Sequence, residues 1–331
     1  MTTVVIPNYN GLVYLKDCLE ALEQQTYKDF EILVVDNGST DGSIEYVANY
    51  YKSIRLIALD KNYGFTGAVN RGIKATDNEF VVLLNNDTIP AVDWLEALVK
   101  CIVSHADAFS CCSKMMQVQD ENIIDDAGDG YTVFGWAYKG YDGASAEKAN
   151  KTRAITSCCA GAAIYRRSIF NQIGYLNDDF FAYLEDVDLS LRAMRAGYKH
   201  YFCHDALLTH IGSATSGSKY NDFKVRISAR NSVWVYQMNI AKWLKVINSL
   251  PYILGISVKF FAFKRWGFGN AYLAGIREGF KNKPSREYCQ QIQGSISVRT
   301  DWFLYLSMWK DTFAYIKMKM EMKRIFGGYQ K

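Results

Sequence analysis

The first 115 residues alternate short apolar runs with longer segments in which apolar residues recur at helical spacing. The apolar runs predict strands at residues 3–6, 30–35, 54–59, 80–84 and 108–114. The periodic segments predict helices at residues 11–25, 43–51, 67–75 and 92–103. Because strands alternate with helices, we expect an α/β protein with a mostly parallel sheet and helices on both faces.

Residues 120–154 have a different pattern, rich in Gly, Asp, Ala and Tyr and without long periodicity. We therefore expect a loop-rich excursion there, lying over a ligand site. The regular pattern then returns and predicts strands at residues 160–165, 198–203 and 207–210. It also predicts helices at residues 168–173, 185–196 and 221–238.

Charge is distributed unevenly along the chain. Residues 242–331 carry 16 Lys and Arg against five Asp and Glu, whereas the preceding residues carry 22 against 29. The formal net charge of +4 therefore combines an acidic part with a basic part that also holds 18 of the 48 aromatic residues. Basic and aromatic residues together suit helices on an anionic membrane surface, and the alternatives are a helical subdomain or a homo-oligomer interface. No recognition motif accompanies the charge, so nucleic acid is not an expected partner.

The composition excludes several classes of protein. With 49% hydrophobic residues and four prolines, the chain is not disordered or of low complexity. None of the eight cysteines forms a CxxC pair, so we expect reduced thiols rather than disulfides or a zinc site. No apolar stretch reaches the roughly 18 residues that a spanning helix needs. Since the first predicted strand begins at Thr3, we expect no signal peptide and a cytoplasmic protein.

Polar side chains follow three of the predicted strands. These clusters are Pro7-Asn8-Tyr9-Asn10, the segment 36–42 and Asn85-Asn86-Asp87. In open parallel sheets, ligands bind outside the carboxyl ends of the strands, so the clusters predict a ligand site, although Asp36 alone could be a helix cap. The chain has no GxGxxG after its first strand and no GxxxxGK[ST], which argues against dinucleotide and P-loop sites.

These motifs together resemble those of family 2 glycosyltransferases, which have the GT-A fold. The resemblance rests on five segments: VIPNYN at 5–10, VVDNGSTDG at 34–42, NYGF at 62–65 followed by Asn70, LLNND at 83–87 and LEDVD at 184–188. The Gly- and Ala-rich segment 158–163 and the basic C-terminal part are most similar to the bacterial rhamnosyltransferase-like branch. The resemblance implies an α/β GT-A nucleotide-diphospho-sugar transferase fold over residues 1–240. Its nucleotide-binding half would span about 1–115 and its acceptor half about 116–240, with a basic aromatic helical region at 241–331.

The resemblance also implies which residues bind a nucleotide-sugar donor, a dTDP- or UDP-sugar. The implied donor-binding residues are Pro7, Asn8, Asn10, Asp36, Asn62, Asn70, Asn86 and Arg230. Segment 85–87 occupies the place of the family's DxD motif, which holds Mn²⁺ or Mg²⁺. Because Asn85 replaces the first acid, Asp87 is the expected carboxylate ligand, with His210 completing the metal site. His210 could instead be hydrogen-bonded within the fold, and Arg230 could lie on a solvated helix face.

Glu185 and Asp186 begin a predicted helix, where acids are favoured in any case by the helix dipole. The resemblance implies that Asp186 is the general base that takes the proton of the acceptor hydroxyl, with Glu185 orienting either Asp186 or the acceptor.

The implied activity is inverting transfer of a sugar, such as L-rhamnose from dTDP-rhamnose, to a lipid-linked or oligosaccharide acceptor in bacterial surface polysaccharide synthesis. The C-terminal region would then hold the enzyme at the inner face of the cell membrane as a peripheral protein. Two alternatives stay open: a UDP-hexose-dependent family 2 transferase, and a non-catalytic nucleotide-sugar-binding protein of the same fold, which Asn85 would allow.

Overall fold

The computed structural model describes residues 1–212, 220–285 and 296–327 of the chain. The seven cysteines in these ranges are free thiols, and Cys289 lies outside them.

In the part of the chain that the structure describes, ten strands form one sheet and two more form a separate hairpin. In chain order the strands are β1 (Thr2–Asn8), β2 (Phe30–Asp36), β3 (Arg55–Ala58), β4 (Phe80–Leu84), β5 (Thr88–Pro90), β6 (Ala108–Gln117), β7 (Asp120–Asp126), β8 (Asp129–Tyr131), β9 (Ala137–Lys139), β10 (Arg153–Ile155), β11 (Ala162–Arg166) and β12 (Lys199–His210). Their order across the sheet is β10-β12-β6-β11-β4-β1-β2-β3, with β5 paired to β12 and β7 to β6. Strands β1 to β4 pair in parallel, whereas β11 runs antiparallel to both of its neighbours. The mostly parallel α/β sheet confirms the predicted fold class.

Eleven α-helices are present in the described ranges. They are α1 (Leu12–Glu23), α2 (Ser43–Tyr50), α3 (Gly64–Lys74), α4 (Trp94–Ser104), α5 (Arg167–Ile173), α6 (Glu185–Arg195), α7 (Asp222–Asn239), α8 (Lys242–Ile247), α9 (Ser249–Arg265), α10 (Gly269–Lys281) and α11 (Val298–Gly327). Among the described residues, no helix is long and apolar enough to cross a membrane.

Both faces of the sheet are covered by helices, because alternate residues of each strand face opposite sides. In β1, Val5 contributes to one buried cluster and Val4 and Ile6 to the other. Helices α3, α5 and α6 complete the first cluster, and α1, α2 and α4 complete the second. Strands β1, β2 and β4 lie between these two layers of helices, and the polar segments are at or directly after their ends. The packed helices thus fix the polar segments at one edge of the sheet.

The structure differs from the sequence-based expectation in three places. The segment expected to be an irregular excursion contains strands β7 to β9 and the start of β10. Strand β7 pairs with the preceding β6, β8 and β9 pair with each other, and β10 pairs with the distant β12. The short strand β5 was not predicted, and it pairs with β12. The two strands expected between residues 198 and 210 are one strand, β12, with an irregularity between Phe202 and Leu207.

The C-terminal helices share a hydrophobic core with the acceptor half instead of forming one of their own. Phe180 and Leu191 pack in the same cluster as Leu244, Leu304 and Met308. The boundary at residue 240 stays a prediction that rests on composition and charge, since the hydrophobic core extends across it.

Polar contacts reinforce this junction. The Tyr131 amide donates to Asp311 Oδ2 at 2.9 Å, and Arg195 pairs with the buried Asp301 at 2.9 Å. Helix α10 approaches α7 closely because Gly275 has no side chain; a Cβ there would lie 2.2 Å from the Arg226 carbonyl oxygen.

Candidate active site

The three polar strand ends meet in one hydrogen-bonded network. The Asn86 amide donates to Asn8 Oδ1 at 2.7 Å, and the Asn8 amide donates to Asp36 Oδ2 at 2.9 Å. Asp36 Oδ1 accepts from the Ser39 amide at 2.8 Å. The side chains of Asn8, Asp36 and Asn86 are all buried, so the network orders the edge of the site. Pro7, at the end of β1, is partly exposed beside it.

Asn10 and Asn62 lie at the exposed rim of this network. Asn10 has a left-handed backbone with φ of 49°, and its Oδ1 accepts from the Thr40 amide at 2.8 Å. Asn62 Oδ1 accepts from the Gly64 amide at 2.8 Å and from Asn37 Nδ2 at 3.0 Å. Both asparagines are exposed and can reach a ligand.

Asn70 is engaged entirely within the protein. Its side chain is 2% exposed, its Nδ2 donates to the Leu176 carbonyl and to Asp178 Oδ1, each at 2.7 Å, and its Oδ1 accepts from the Leu176 amide. In this structure Asn70 therefore joins α3 to the segment that leads into α6. An effect of Asn70 on a bound donor would be indirect, through the position of that segment.

Asp87, His210 and Asp125 form a chain of polar contacts at the edge of the sheet. His210 Nε2 lies 3.6 Å from Asp87 Oδ2, and His210 Nδ1 lies 2.8 Å from Asp125 Oδ2. Asp87 Oδ1 is buried and has no hydrogen-bond partner. Two ligand atoms that are each about 2.1 Å from one cation lie about 3 to 4 Å apart, so Asp87 and His210 fit a divalent cation. Asn85 is partly exposed beside them.

The charged neighbours shift the pKa values of this chain. Burial alone would lower the pKa of His210, but hydrogen bonds to Asp125 and Asp87 raise it to about 9. Burial would raise the pKa of Asp125, but contacts with His210 and Lys139 lower it to about 2. The imidazole of His210 thus lies between the carboxylates of Asp87 and Asp125.

Glu185 and Asp186 begin α6 directly after a strained turn. Phe181, Tyr183 and Leu184 all have positive φ angles, between 66° and 71°, which is costly for side chains of this size. Such a concentration of strain is typical of functional sites, where the surrounding structure imposes it.

The two carboxylates are held differently. Asp186 accepts from the Ala160 amide at 3.2 Å and from the Val187 amide at 2.8 Å. Burial raises the pKa of Asp186, and these hydrogen bonds oppose the rise. Glu185 is 6% exposed, its Oε2 has no partner, and burial together with Asp186 raises its pKa.

Residues 160 and 161 connect Asp186 to the metal side of the site. The Ala160 amide contacts Asp186, while the Gly161 carbonyl accepts from the Asn85 amide at 2.8 Å. One dipeptide at the start of β11 therefore touches both the candidate base and the DxD position.

Arg230 and Asn231 of α7 support the strained turn. Arg230 donates to the carbonyls of Asp179 and Phe180, each at 3.1 Å, and pairs with Glu278. The fully buried Asn231 donates to the carbonyls of Phe180, Ala182 and Tyr183 at 2.8–3.2 Å. In this structure Arg230 therefore makes contacts within the protein and does not lie on a solvated helix face. The contacts of its neighbour Asn231 with the turn were not predicted from the sequence.

A second acidic group lies beside Asp186 and was not predicted. One ligand atom from each of Asp126, Asp129 and Cys159 lies within 4.8 Å of the other two. Burial raises the pKa of both Asp126 and Asp129. Repulsion from Asp125 adds to the rise at Asp126, and repulsion from Asp126 and Asp186 adds to the rise at Asp129. The only sequence signal was the density of acids in residues 120–129.

The chain matches known proteins over most of its length. The family model described as Glycosyl transferase family 2 matches residues 3–174. A Mycobacterium tuberculosis protein named N-acetylglucosaminyl-diphospho-decaprenol L-rhamnosyltransferase is 25% identical over 240 residues, which cover 65% of this chain and 77% of the relative. The chain spans only about a quarter to a third of the length of several other curated relatives that it matches.

Two solved structures show the same fold. The structure of GalNAc-T7 with UDP, GalNAc and Mn²⁺ superposes with a TM-score of 0.60 at 15% identity, covering 88% of this chain and 56% of that one. The structure of Staphylococcus aureus TarS 1–349 superposes with a TM-score of 0.52 at 17% identity, covering 98% and 91%. The fold is therefore the GT-A glycosyltransferase fold with a C-terminal helical region.

Proposed function

The chain belongs to glycosyltransferase family 2, and we propose that it is an inverting, metal-dependent enzyme that transfers a sugar from a nucleotide diphosphate to a lipid-linked or oligosaccharide acceptor. The observation that carries this proposal is the join between the Asn85–Asp87 segment and Asp186 through residues 160 and 161. It supports the proposal because the expected leaving-group end of a donor site would lie next to the partly buried carboxylate of Asp186.

Asp186 has the properties of a general base. Its raised pKa makes the carboxylate a better proton acceptor, and the amides of Ala160 and Val187 fix its orientation. In an inverting transfer, Asp186 takes the proton of the acceptor hydroxyl as that oxygen bonds to the anomeric carbon and the bond to the diphosphate breaks. Glu185, beside it, keeps an unpaired oxygen for an acceptor hydroxyl.

The donor would lie along the network of the three strand ends. The exposed amides of Asn10 and Asn62 are placed to contact the base or ribose, while Asn8, Asp36 and Asn86 form the floor. Asp87 and His210 would hold Mn²⁺ or Mg²⁺, which, when bound, stabilises the negative charge of the departing diphosphate.

Substitution Asp186→Asn tests the assignment of the base. Loss of a general base lowers a rate by about 10²–10⁴-fold, so transfer should fall by this factor while the Kd for UDP or dTDP stays unchanged. Asp205→Asn, an exposed acid on β12, is the control. Near-normal transfer by Asp186→Asn would rule out this base.

The donor sugar is proposed from the rhamnosyltransferase relative. We infer dTDP-L-rhamnose as donor, a lipid-linked acceptor and a role in bacterial surface polysaccharide synthesis. A panel of dTDP-rhamnose, UDP-glucose, UDP-galactose and UDP-N-acetylhexosamines, with and without Mn²⁺, separates this donor from a UDP-hexose. A donor at 100 times its Kd should stabilise the protein by about 2.7 kcal/mol. Binding of a donor without transfer to any acceptor would favour the non-catalytic alternative that Asn85 allows.

We also propose that the C-terminal helices dock on an anionic membrane surface. Helix α9 exposes Leu250, Leu254 and Phe261, and α11 exposes Leu306, Phe313 and Ile316, in both cases at helical spacing. Lysines and arginines accompany these side chains in a region with a strong excess of positive charge. Such helices suit the interface of a bilayer, where a lipid-linked acceptor lies.

A further inference from the structure

We propose that Asp125 is a positioning residue for His210: it holds the imidazole so that Nε2 faces the cation beside Asp87. The inference rests on the proposed function, because it concerns the same metal site. Asp125 lies outside the motifs that carry the family resemblance, and its side chain contacts His210 and Lys139.

Four strands of the sheet, β5, β12, β6 and β7, bring the three residues together. Asp87 precedes β5, His210 ends β12, and Asp125 lies on β7. Strand β5 pairs with β12, β12 with β6, and β6 with β7. The Ile211 amide also donates to the Asp87 carbonyl at 2.9 Å, so the backbones of the two expected ligands are joined. A sheet of this kind is a rigid support, and the positions of the three side chains are set by its register.

The hydrogen bond to Asp125 determines which nitrogen of His210 can bind a cation. An ionised carboxylate can only accept, so the contact of 2.8 Å requires a proton on Nδ1. In the neutral imidazole, the free electron pair is then on Nε2, the nitrogen that lies 3.6 Å from Asp87. Without Asp125, the ring could adopt the other tautomer or rotate away from Asp87.

Lys139 fixes the carboxylate itself. Its Nζ lies 2.7 Å from Asp125 Oδ2, the same oxygen that contacts His210. The carboxylate is thus held between β9 and β12 and cannot turn toward the cation as a ligand without losing both contacts. A carboxylate that orients a metal-binding histidine typically contributes 10- to 100-fold to metal affinity.

Mn²⁺ affinity tests the proposal independently of catalysis. Free Mn²⁺ is followed by its EPR signal during titration of the whole 331-residue chain in excess UDP. Asp125→Asn should weaken Mn²⁺ binding by roughly 10- to 100-fold, and in a His210→Ala background the same substitution should have less than about a twofold effect, since nothing is left to orient.

Glu121→Gln is the matched control. It removes one acid from the same strand, β7, at an exposed position. If Glu121→Gln weakens Mn²⁺ binding as much as Asp125→Asn, the effect is one of net charge and the proposal is wrong. Equal losses for Asp125→Asn with and without His210 would also overturn it.

The same titrations distinguish an error in the Asp125 proposal from an error in the proposed Asp87–His210 metal site. If Asp87→Asn weakens Mn²⁺ binding and Asp125→Asn does not, the site stands and Asp125 has no positioning role. If Asp87→Asn, His210→Ala and Asp125→Asn all bind Mn²⁺ like the natural protein, the cation lies elsewhere and both proposals fall.

Discussion

At the residue scale, the acids of the site differ in whether the protein donates a hydrogen bond to each of their buried oxygens. Asp188 is fully buried, yet Asn239 donates to one oxygen at 2.7 Å and Arg192 to the other at 2.9 Å. Asp87 and Glu185 instead each keep a buried oxygen without a partner, which is costly unless a ligand supplies one. This difference assigns Asp188 to the fold and leaves Asp87 and Glu185 available for ligands.

The sequence could identify these acids only as members of motifs. Asp87 was predicted as functional because its segment follows a strand and resembles the family's DxD motif. Asp186 was predicted as the base only from the resemblance of segment 184–188, since a helix start favours acids in any case. Asp125 could not be predicted, since it lies 85 residues from His210 in a region without periodicity. Contacts across a sheet depend on strand order, which local pattern does not reveal.

One buried histidine should make stability depend on pH. His200 is fully buried between Ser110 Oγ, at 2.7 Å, and the Ser190 carbonyl, at 3.0 Å, and burial lowers its pKa to about 4. Between about pH 6.5 and 4 the unfolded chain takes up a proton that the folded protein does not, so stability falls on acidification. The loss should reach about 3 kcal/mol at the acid end.

Urea unfolding at neutral pH and near pH 5 measures this effect. His200→Gln should lose less stability on acidification than the natural protein. Ser110→Ala removes a hydrogen bond but keeps the imidazole, so its pH dependence should match the natural protein. Identical pH dependence of His200→Gln and the natural protein would contradict the assignment.

At the element scale, the segment before α6 is held from both halves of the molecule. Asn70 of α3 binds Leu176 and Asp178, and Asn231 of α7 binds the turn that follows. Gly64 allows the close approach, since with φ of 77° a Cβ there would lie 2.5 Å from the Phe181 carbonyl oxygen. The helices themselves were predictable from periodicity, but the strained turn was not, because its residues have no turn-forming character.

Asn231→Ala should therefore loosen the turn. Three buried carbonyls would lose a shared donor, at a cost of about 1–3 kcal/mol. Hydrogen exchange should become faster in residues 180–187. Asn239→Ala also removes a buried amide from α7, but its change should centre on Asp188. Unchanged exchange in residues 180–187 of Asn231→Ala would show that the turn needs no such support.

At the scale of the whole molecule, the chain combines a catalytic sheet with a helical region whose outer surface is unusually apolar. The sequence predicted the charge and aromatic content of this region. It could not predict which apolar side chains pack on the acceptor half and which stay exposed, since both α9 and α11 carry apolar residues on more than one side.

Membrane docking should depend on these exposed side chains. Leu254→Gln with Phe261→Gln should weaken binding to vesicles that contain anionic lipid by roughly tenfold or more, given the apolar area lost. Val13→Gln with Val103→Gln, exposed apolar residues of the nucleotide-binding half, is the control. Flotation of vesicles at low and high salt measures both the apolar and the charge contribution. If the α9 substitutions leave vesicle binding intact but convert an oligomer to a monomer, the face is a homo-oligomer interface.

The shared core of the acceptor half and the C-terminal helices has a practical consequence for protein engineering. A minimal catalytic fragment that ends at residue 240 would lack the helices that help to bury Phe180 and Leu191. These two side chains flank the turn and the start of α6, where Asp186 lies. Such a fragment should aggregate rather than retain a reduced activity. The helical region is therefore not a module that can be exchanged separately, and a graft of residues 116–240 should include the helices that cover them.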